Sequence, residues 1–176
     1  MEALIGGSVD VITTAYEQIL QLGVKGQEAR MFLVFTVREG RAVVALRPEI
    51  RSLRDLKGKR LGVPSPGSSN HTYAKLAMHR SGLRPEDVSV AGIGIGPAAI
   101  AALERGIVDA AAVSTGTFTY LKVKYPRLVL LSDGTTPEGS KEVWGAESFP
   151  LVGLVARPNW LEQHPDQARK VAAAVH

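Results

Sequence analysis

The residues in this chain best suited to chemistry carry no charge. Ser65, Ser68, Ser69 and Asn70 crowd into one stretch with Pro64, Pro66 and Gly67, and His71 follows directly. An apolar run at 60–63 precedes them and reads as a strand. A helix follows, with Tyr73, Leu76 and Ala77 on one face and Gly82 as its stop signal. A strand that opens through such a loop into a helix leaves the first helical N–H groups without intrahelical partners. The helix dipole adds roughly half a positive charge there. Hydroxyls and a carboxamide supply further donors, so the set suits an anion or a strong acceptor on a small molecule. A helix cap needs only one such residue. Four of them with a glycine and two prolines exceed that need, and the stretch reads as a recognition loop.

Other chemistries fail on particular residues. Gly62 and Gly67 have the spacing of a phosphate-binding Walker loop, but Ser68 and Ser69 stand where Lys-Ser/Thr is required. With no lysine to neutralise the β- and γ-phosphates, nucleotide hydrolysis is not expected. The run Gly92-Ile93-Gly94-Ile95-Gly96-Pro97 departs from the dinucleotide fingerprint, because Pro97 replaces the third glycine. Ser69 with His71 lacks the Gly-x-Ser-x-Gly elbow of a hydrolase. His79 lies two helical turns past His71, beyond the i, i+4 spacing of a metal pair, and there is no His-Glu-x-x-His. No catalytic residue, metal or cofactor is expected. His71, in the first turn of its helix, reads either as a ligand contact or as a satisfied surface histidine.

Composition sets the frame for these residues. The 176 residues, 45% hydrophobic and 22% charged, suffice for one large domain or two small lobes. The net charge of +4 is scattered. Its densest group, Arg51, Arg54, Lys57, Lys59 and Arg60, has no aromatic residue interleaved, so no nucleic-acid partner is expected. The absence of cysteine removes disulfides, thiolate catalysis and cysteine-bound metals. No apolar run reaches the ~18 residues of a membrane span. The opening Met-Glu-Ala-Leu-Ile-Gly-Gly lacks the features of a signal peptide, so for an exported protein the signal is expected to lie outside this sequence.

The elements that must position the loop read as an alternation. A helix tail at 3–7 leads to a strand at 9–12, and Thr13 and Thr14 are expected to cap a helix ending at Gly23. Strands at 29–37 and 42–46 flank a turn, and a short helix follows at 52–56. Beyond the recognition loop come a strand at 88–93 and a helix launched by Gly94-Ile95-Gly96-Pro97. A strand at 108–113 follows, with Ser114-Thr115 opening the next helix. Then come a strand at 128–131, a loop-rich stretch at 133–148, a strand at 151–156 and a helix after Pro158. Such alternation implies βαβ units and a mostly parallel sheet, with ligands beyond the carboxyl ends of the strands. The chain also echoes itself. Ala3-Leu4 through Gly7-Ser8-Val9-Asp10 matches Ala102-Leu103 through Gly106-Ile107-Val108-Asp109, with hydroxyls after each strand. This suggests two equivalent lobes. Tyr16, Tyr73, Phe118 and Trp144 read as core residues rather than a stacking wall.

Three segments carry a family resemblance. Ser-Leu-Arg-Asp-Leu-Lys-Gly-Lys-Arg-Leu-Gly-Val-Pro-Ser-Pro-Gly-Ser-Ser (52–69) resembles the second-lobe entry of type II periplasmic solute-binding proteins. The segment from Asp87 to Pro97, with Ala101 to Ala111, and the segment Trp160 to Asp166 are similar to later parts of the same family. The branch is that of the sulfonate, taurine, nitrate and thiamine-pyrimidine-precursor receptors of ABC transporters. The resemblance implies an α/β fold of two lobes, with parallel-rich sheets flanked by helices and the first lobe incomplete. It places part of lobe 1 at 1–42, lobe 2 at 43–156 with hinge strands at both ends, and a helix returning towards lobe 1 at 157–176. It implies ligand contacts at Thr13, Thr14 and Tyr16 from one lobe. From the other it implies Ser65, Ser68, Ser69, Asn70, His71, Gly94, Gly96, Ser114 and Thr115.

Hinge closure over the ligand would present a form that a transporter permease recognises, in the periplasm or another extracytoplasmic space. No cofactor is implied. The incomplete lobe implies either a fragment or a mis-started reading frame, or a homo-oligomer or another chain that covers it. Two other functions share the fold. The effector domain of a transcription regulator needs an upstream helix-turn-helix, and a pyrimidine-precursor synthase needs a cysteine-rich iron motif that this chain does not have. Alanine at Ser68, Ser69 and Thr115 is expected to weaken ligand binding and leave the melting temperature nearly unchanged.

Overall fold

The computed structural model describes residues 1–38 and 40–175. In chain order the elements are α1 (Glu2–Ile5), β1 (Val11–Ala15), α2 (Tyr16–Val24), β2 (Arg30–Thr36), β3 (Arg41–Ala45), β4 (Arg60–Val63), α3 (Ser69–Arg80) and β5 (Ser89–Gly92). Then come α4 (Pro97–Glu104), β6 (Ala110–Ser114), α5 (Thr115–Lys124), β7 (Val129–Asp133), α6 (Pro137–Trp144), β8 (Val152–Ala156), α7 (Pro158–Gln163) and α8 (Pro165–Ala174). Tight 3-10 turns at Leu53–Leu56 and Pro85–Asp87 precede β4 and β5. Contacts divide the chain into a unit of 1–37 with 149–176 and a unit of 38–148.

The first unit is a three-stranded antiparallel sheet with β8 in the middle, between β1 and β2. The strand at 151–156, expected as a hinge at the end of the second lobe, is therefore the centre of this sheet. The divisions at 37/38 and 148/149 fall a few residues before the expected ones at 42/43 and 156/157. Thr13 and Thr14 do not cap a helix. They pair with Leu154 and Gly153 inside β1, and α2 starts at Tyr16 with no side-chain cap. The run Val-Ile-Thr-Thr is β-branched throughout and favours a strand. Ala156, Trp160 and Ala168 pack with Val11, Phe32 and Leu161 as this unit's core. Arg157 ties the unit's ends together, donating to the Val9 carbonyl at 2.9 Å and pairing with Asp10 at 2.7 Å.

The second unit is a five-stranded mixed sheet in the order β5-β4-β6-β3-β7. The strands linked by helical crossovers, β5, β4 and β6, run parallel, and β3 is antiparallel to both β6 and β7. β3 does not return beside β2, as a turn at 38–41 would have it. All five of its residues are buried, which suits a central strand covered on both faces. Period-two alternation divides the core. Val43, Ala45, Ala110 and Ala112 face a layer with Tyr73, Ala77 and Met78 of α3 and Val143 of α6. Ala42, Val44, Ala111 and Val113 face Ala102 and Leu103 of α4 with Phe118 and Leu121 of α5. Tyr73 and Phe118 are core residues, and Trp144 packs against the first layer, 6.4 Å from Tyr73 between ring centroids.

Helix α6 lies in the stretch read from sequence as loop. Its signals are nonetheless complete: Thr136 as N-cap, Pro137 at the first position, and Gly145 after the last turn with φ of +82°.

Candidate functional site

One edge of the five-stranded sheet collects the polar loops. The parallel strands β4, β5 and β6 end there at Val63, Gly92 and Ser114. Antiparallel β3 starts at the same edge, with Arg41 opposite Ser114, and β7 ends there, with Asp133 opposite Ala42. Helices α3, α4, α5 and α6 all follow strands that end at this edge, so their N-termini gather along it. All nine second-lobe residues singled out from sequence belong to these loops and helix starts.

Their hydrogen bonds separate them into two groups. Ser68 is the N-cap of α3: its hydroxyl accepts from the His71 N–H at 3.4 Å, and its carbonyl accepts from the Thr72 N–H at 3.0 Å. Gly67, at φ of +85°, donates its N–H to His71 Nδ1 at 2.9 Å. Asn70 donates its carboxamide to the Ala112 carbonyl at 3.4 Å, stitching α3 to β6. The Gly94 N–H donates to the Pro64 carbonyl at 3.2 Å, joining two of the loops. Thr115 donates both its N–H (2.7 Å) and its hydroxyl (2.8 Å) to the Gly40 carbonyl. These groups build the edge.

The second group remains open. The hydroxyls of Ser65, Ser69 and Ser114 have no partner among the described residues. The same holds for the N–H groups of Ser69, Asn70, Gly96 and Gly116. They are the unspent helix-start donors that an anion can use. Burial, and secondarily the Lys75 ammonium, hold the His71 pKa below its ordinary value, so its ring adds no positive charge near neutrality.

Two contributors at this edge were not singled out from sequence. Arg41 is a buried arginine at the start of β3, and its polarity inside an apolar strand was the available signal. Asp133 accepts from the Thr135 N–H at 3.0 Å and its hydroxyl at 2.5 Å, shaping the turn before α6; the Asp-Gly-Thr-Thr-Pro run carried that signal. Beside the edge, α4 and α5 border an open groove of about 410 Å³, walled by Pro97, Ile100, Ala101 and Tyr120. It ends at Glu104, to which Lys124 (2.8 Å) and Tyr125 donate. Among the described residues, no group of three or more histidines and carboxylates is placed to hold a metal ion.

In the other unit, Thr13 is exposed, and Thr14 and Tyr16 are half-buried. All three sit where β1 passes into α2, and the Tyr16 N–H donates to the Leu151 carbonyl at 2.7 Å.

Strand-end loops feeding unspent helix donors define an α/β binding domain, and the comparisons with known proteins agree. The family model for the periplasmic substrate-binding protein of phosphonate ABC transporters matches residues 1–175, and the chain belongs to that family. A protein of solved structure from Bordetella bronchiseptica is 30% identical, with a TM-score of 0.88 over 99% of this chain and 55% of its own. The periplasmic aliphatic sulphonate binding protein SsuA of Escherichia coli is 24% identical, with a TM-score of 0.70 over 98% of this chain and 55% of its own. It shares the fold, that of the type II periplasmic binding proteins. A binding protein of Brucella abortus is 26% identical over 126 residues, 71% of this chain and 36% of that protein. The chain thus spans about half the length of these solved structures and about a third of the Brucella protein. The regulator and synthase readings find no support in this family or these relatives.

Proposed function

We propose that this chain forms part of the solute receptor of an ABC importer and binds a small organic anion, a sulfonate or a phosphonate, without catalysing a reaction on it. The observation that carries this reading is the row of unspent donors at one sheet edge, from Ser65, Ser69, Asn70, Gly96, Ser114 and Gly116. Backbone amides and hydroxyls bind an oxyanion without the desolvation cost of a buried lysine. Thr13, Thr14 and Tyr16 are the contacts that the family resemblance assigns to the other unit. Membership of the family supports a periplasmic location, a permease partner and a phosphorus oxyanion, and the sulfonate-binding neighbours support a sulfur oxyanion.

Titration calorimetry with methanesulfonate, methylphosphonate and the uncharged dimethyl sulfone tests the reading. Heat of binding is expected for at least one of the two anions and none for the sulfone. Equal affinity for the sulfone, or no binding of either anion, overturns it.

A further inference from the structure

His71 was read from sequence as a ligand contact, but its ring already has a partner in the loop before it. The Gly67 N–H donates to Nδ1 at 2.9 Å. An imidazole accepting at Nδ1 is the neutral tautomer with its proton on Nε2. The same loop turns through Gly67 at φ of +85°, and its Ser68 N–H closes on the Ser65 carbonyl at 3.1 Å. The Ser65 and Ser69 hydroxyls and the Ser69 and Asn70 N–H groups flank this knot and have no partner among the described residues.

We propose that His71 is a positioning residue: its neutral ring, by holding the Gly67 N–H, fixes the 64–68 loop in the shape that leaves those donors open, and protonation of the ring releases it. A protonated imidazole has a donor at Nδ1, facing the donor of Gly67, so the bond cannot persist. This inference rests on the receptor reading above and adds a pH response to the same site.

The charged surroundings do not oppose the neutral state. Loop 64–68 and strands β5 and β6 contain no titratable residue. Lys75 stands one turn along α3 and disfavours a second positive charge. Arg41 opens β3 at the same sheet edge, and α6, packed on α3, carries Glu138, Lys141 and Glu142. Arg60 and the 3-10 turns at Leu53–Leu56 and Pro85–Asp87 lie at the other end of the sheet, where β4 and β5 begin. Burial acts in the same direction as Lys75 and is the larger influence.

The test uses methanesulfonate, which stays a monoanion throughout, with affinity measured by calorimetry from about pH 8 to about pH 5. Wild-type affinity should fall with acid, approaching about tenfold per pH unit below the ring's pKa, because only the neutral fraction binds. His71→Gln keeps an acceptor but no proton site, so its affinity should be severalfold weaker and independent of pH. His71→Leu, with no acceptor, should be weaker than the glutamine variant by about tenfold at every pH. Nitrogen NMR of the free protein reads the tautomer directly, and the Gly67 amide resonance should move with the same midpoint as the His71 ring.

A ring protonated at Nδ1 at high pH overturns the proposal. So does a wild-type affinity that stays flat with pH, or a pH response that survives in His71→Gln. Failure of both methanesulfonate and methylphosphonate to bind at about pH 8 overturns the receptor reading instead. The NMR tautomer still decides the role of His71 in the loop.

Discussion

Ser68 and Ser69 are neighbours with different duties. Ser68 is spent on the N-cap of α3, whereas the Ser69 hydroxyl has no partner among the described residues. Ser68→Ala should therefore cost about 1 kcal/mol of stability, read as a lower urea midpoint. Ser69→Ala should leave that midpoint in place and weaken anion binding by about 1 kcal/mol in calorimetry. The sequence expectation of a nearly unchanged melting temperature on removing Ser68, Ser69 and Thr115 is revised for Ser68 and for Thr115, whose hydroxyl donates to the Gly40 carbonyl. Residue types announced polar capacity but not how much of it the backbone would consume. Asp55 offers a pH prediction at the same scale. Its carboxylate accepts from the Arg51 N–H, the Ser52 hydroxyl and the Ser52 N–H, which hold its pKa below the ordinary value. A depressed folded pKa means that the stabilisation is complete above the unfolded value of about 3.9 and is lost as pH falls towards the folded one. Replacing Asp55 with Asn should lower the urea midpoint at neutral pH and remove part of its decline in acid.

At the scale of elements, the strand–loop–helix of β4 and α3 was legible in full, because an apolar run, a Gly-Ser loop, a cap and a glycine stop all agree locally. The helix α6 was not, since its eight residues include Gly139 and Ser140, and only Val143 and Trp144 among them are large and apolar. Gly139 is there for contact rather than propensity: a Cβ would lie 1.7 Å from the Asp133 carbonyl oxygen. Gly139→Ala should push α6 off the end of β7 and cost about 3 kcal/mol in urea unfolding. An unchanged midpoint would refute that close approach. The internal echo was also legible, but as architecture. Asp10 pairs with Arg157, and Asp109 pairs with Arg47 at 3.1 Å, so each copy pins the start of a strand. Thr13 and Thr14 misled because a threonine pair before a helix serves equally well as the end of a strand.

For the whole molecule, the division of the chain is the informative feature. The 38–148 unit is one continuous segment containing two of the three buried cores found among the described residues. Expressed alone, it should unfold cooperatively in urea; a gradual, non-cooperative loss of helix signal would show that it depends on the rest. The sequence reading put 151–156 at a hinge, because nothing local to that stretch shows that β8 pairs with strands more than a hundred residues earlier.

The central place of β8 has one more consequence. Residues 1–37 supply both flanking strands and 149–176 supply the strand they share. A polypeptide severed at the 37/38 junction would thus be cut through its covalent thread but not through its sheet. The two pieces, made separately and mixed, should find each other and rebuild the whole, much as a zip closes from two loose tapes.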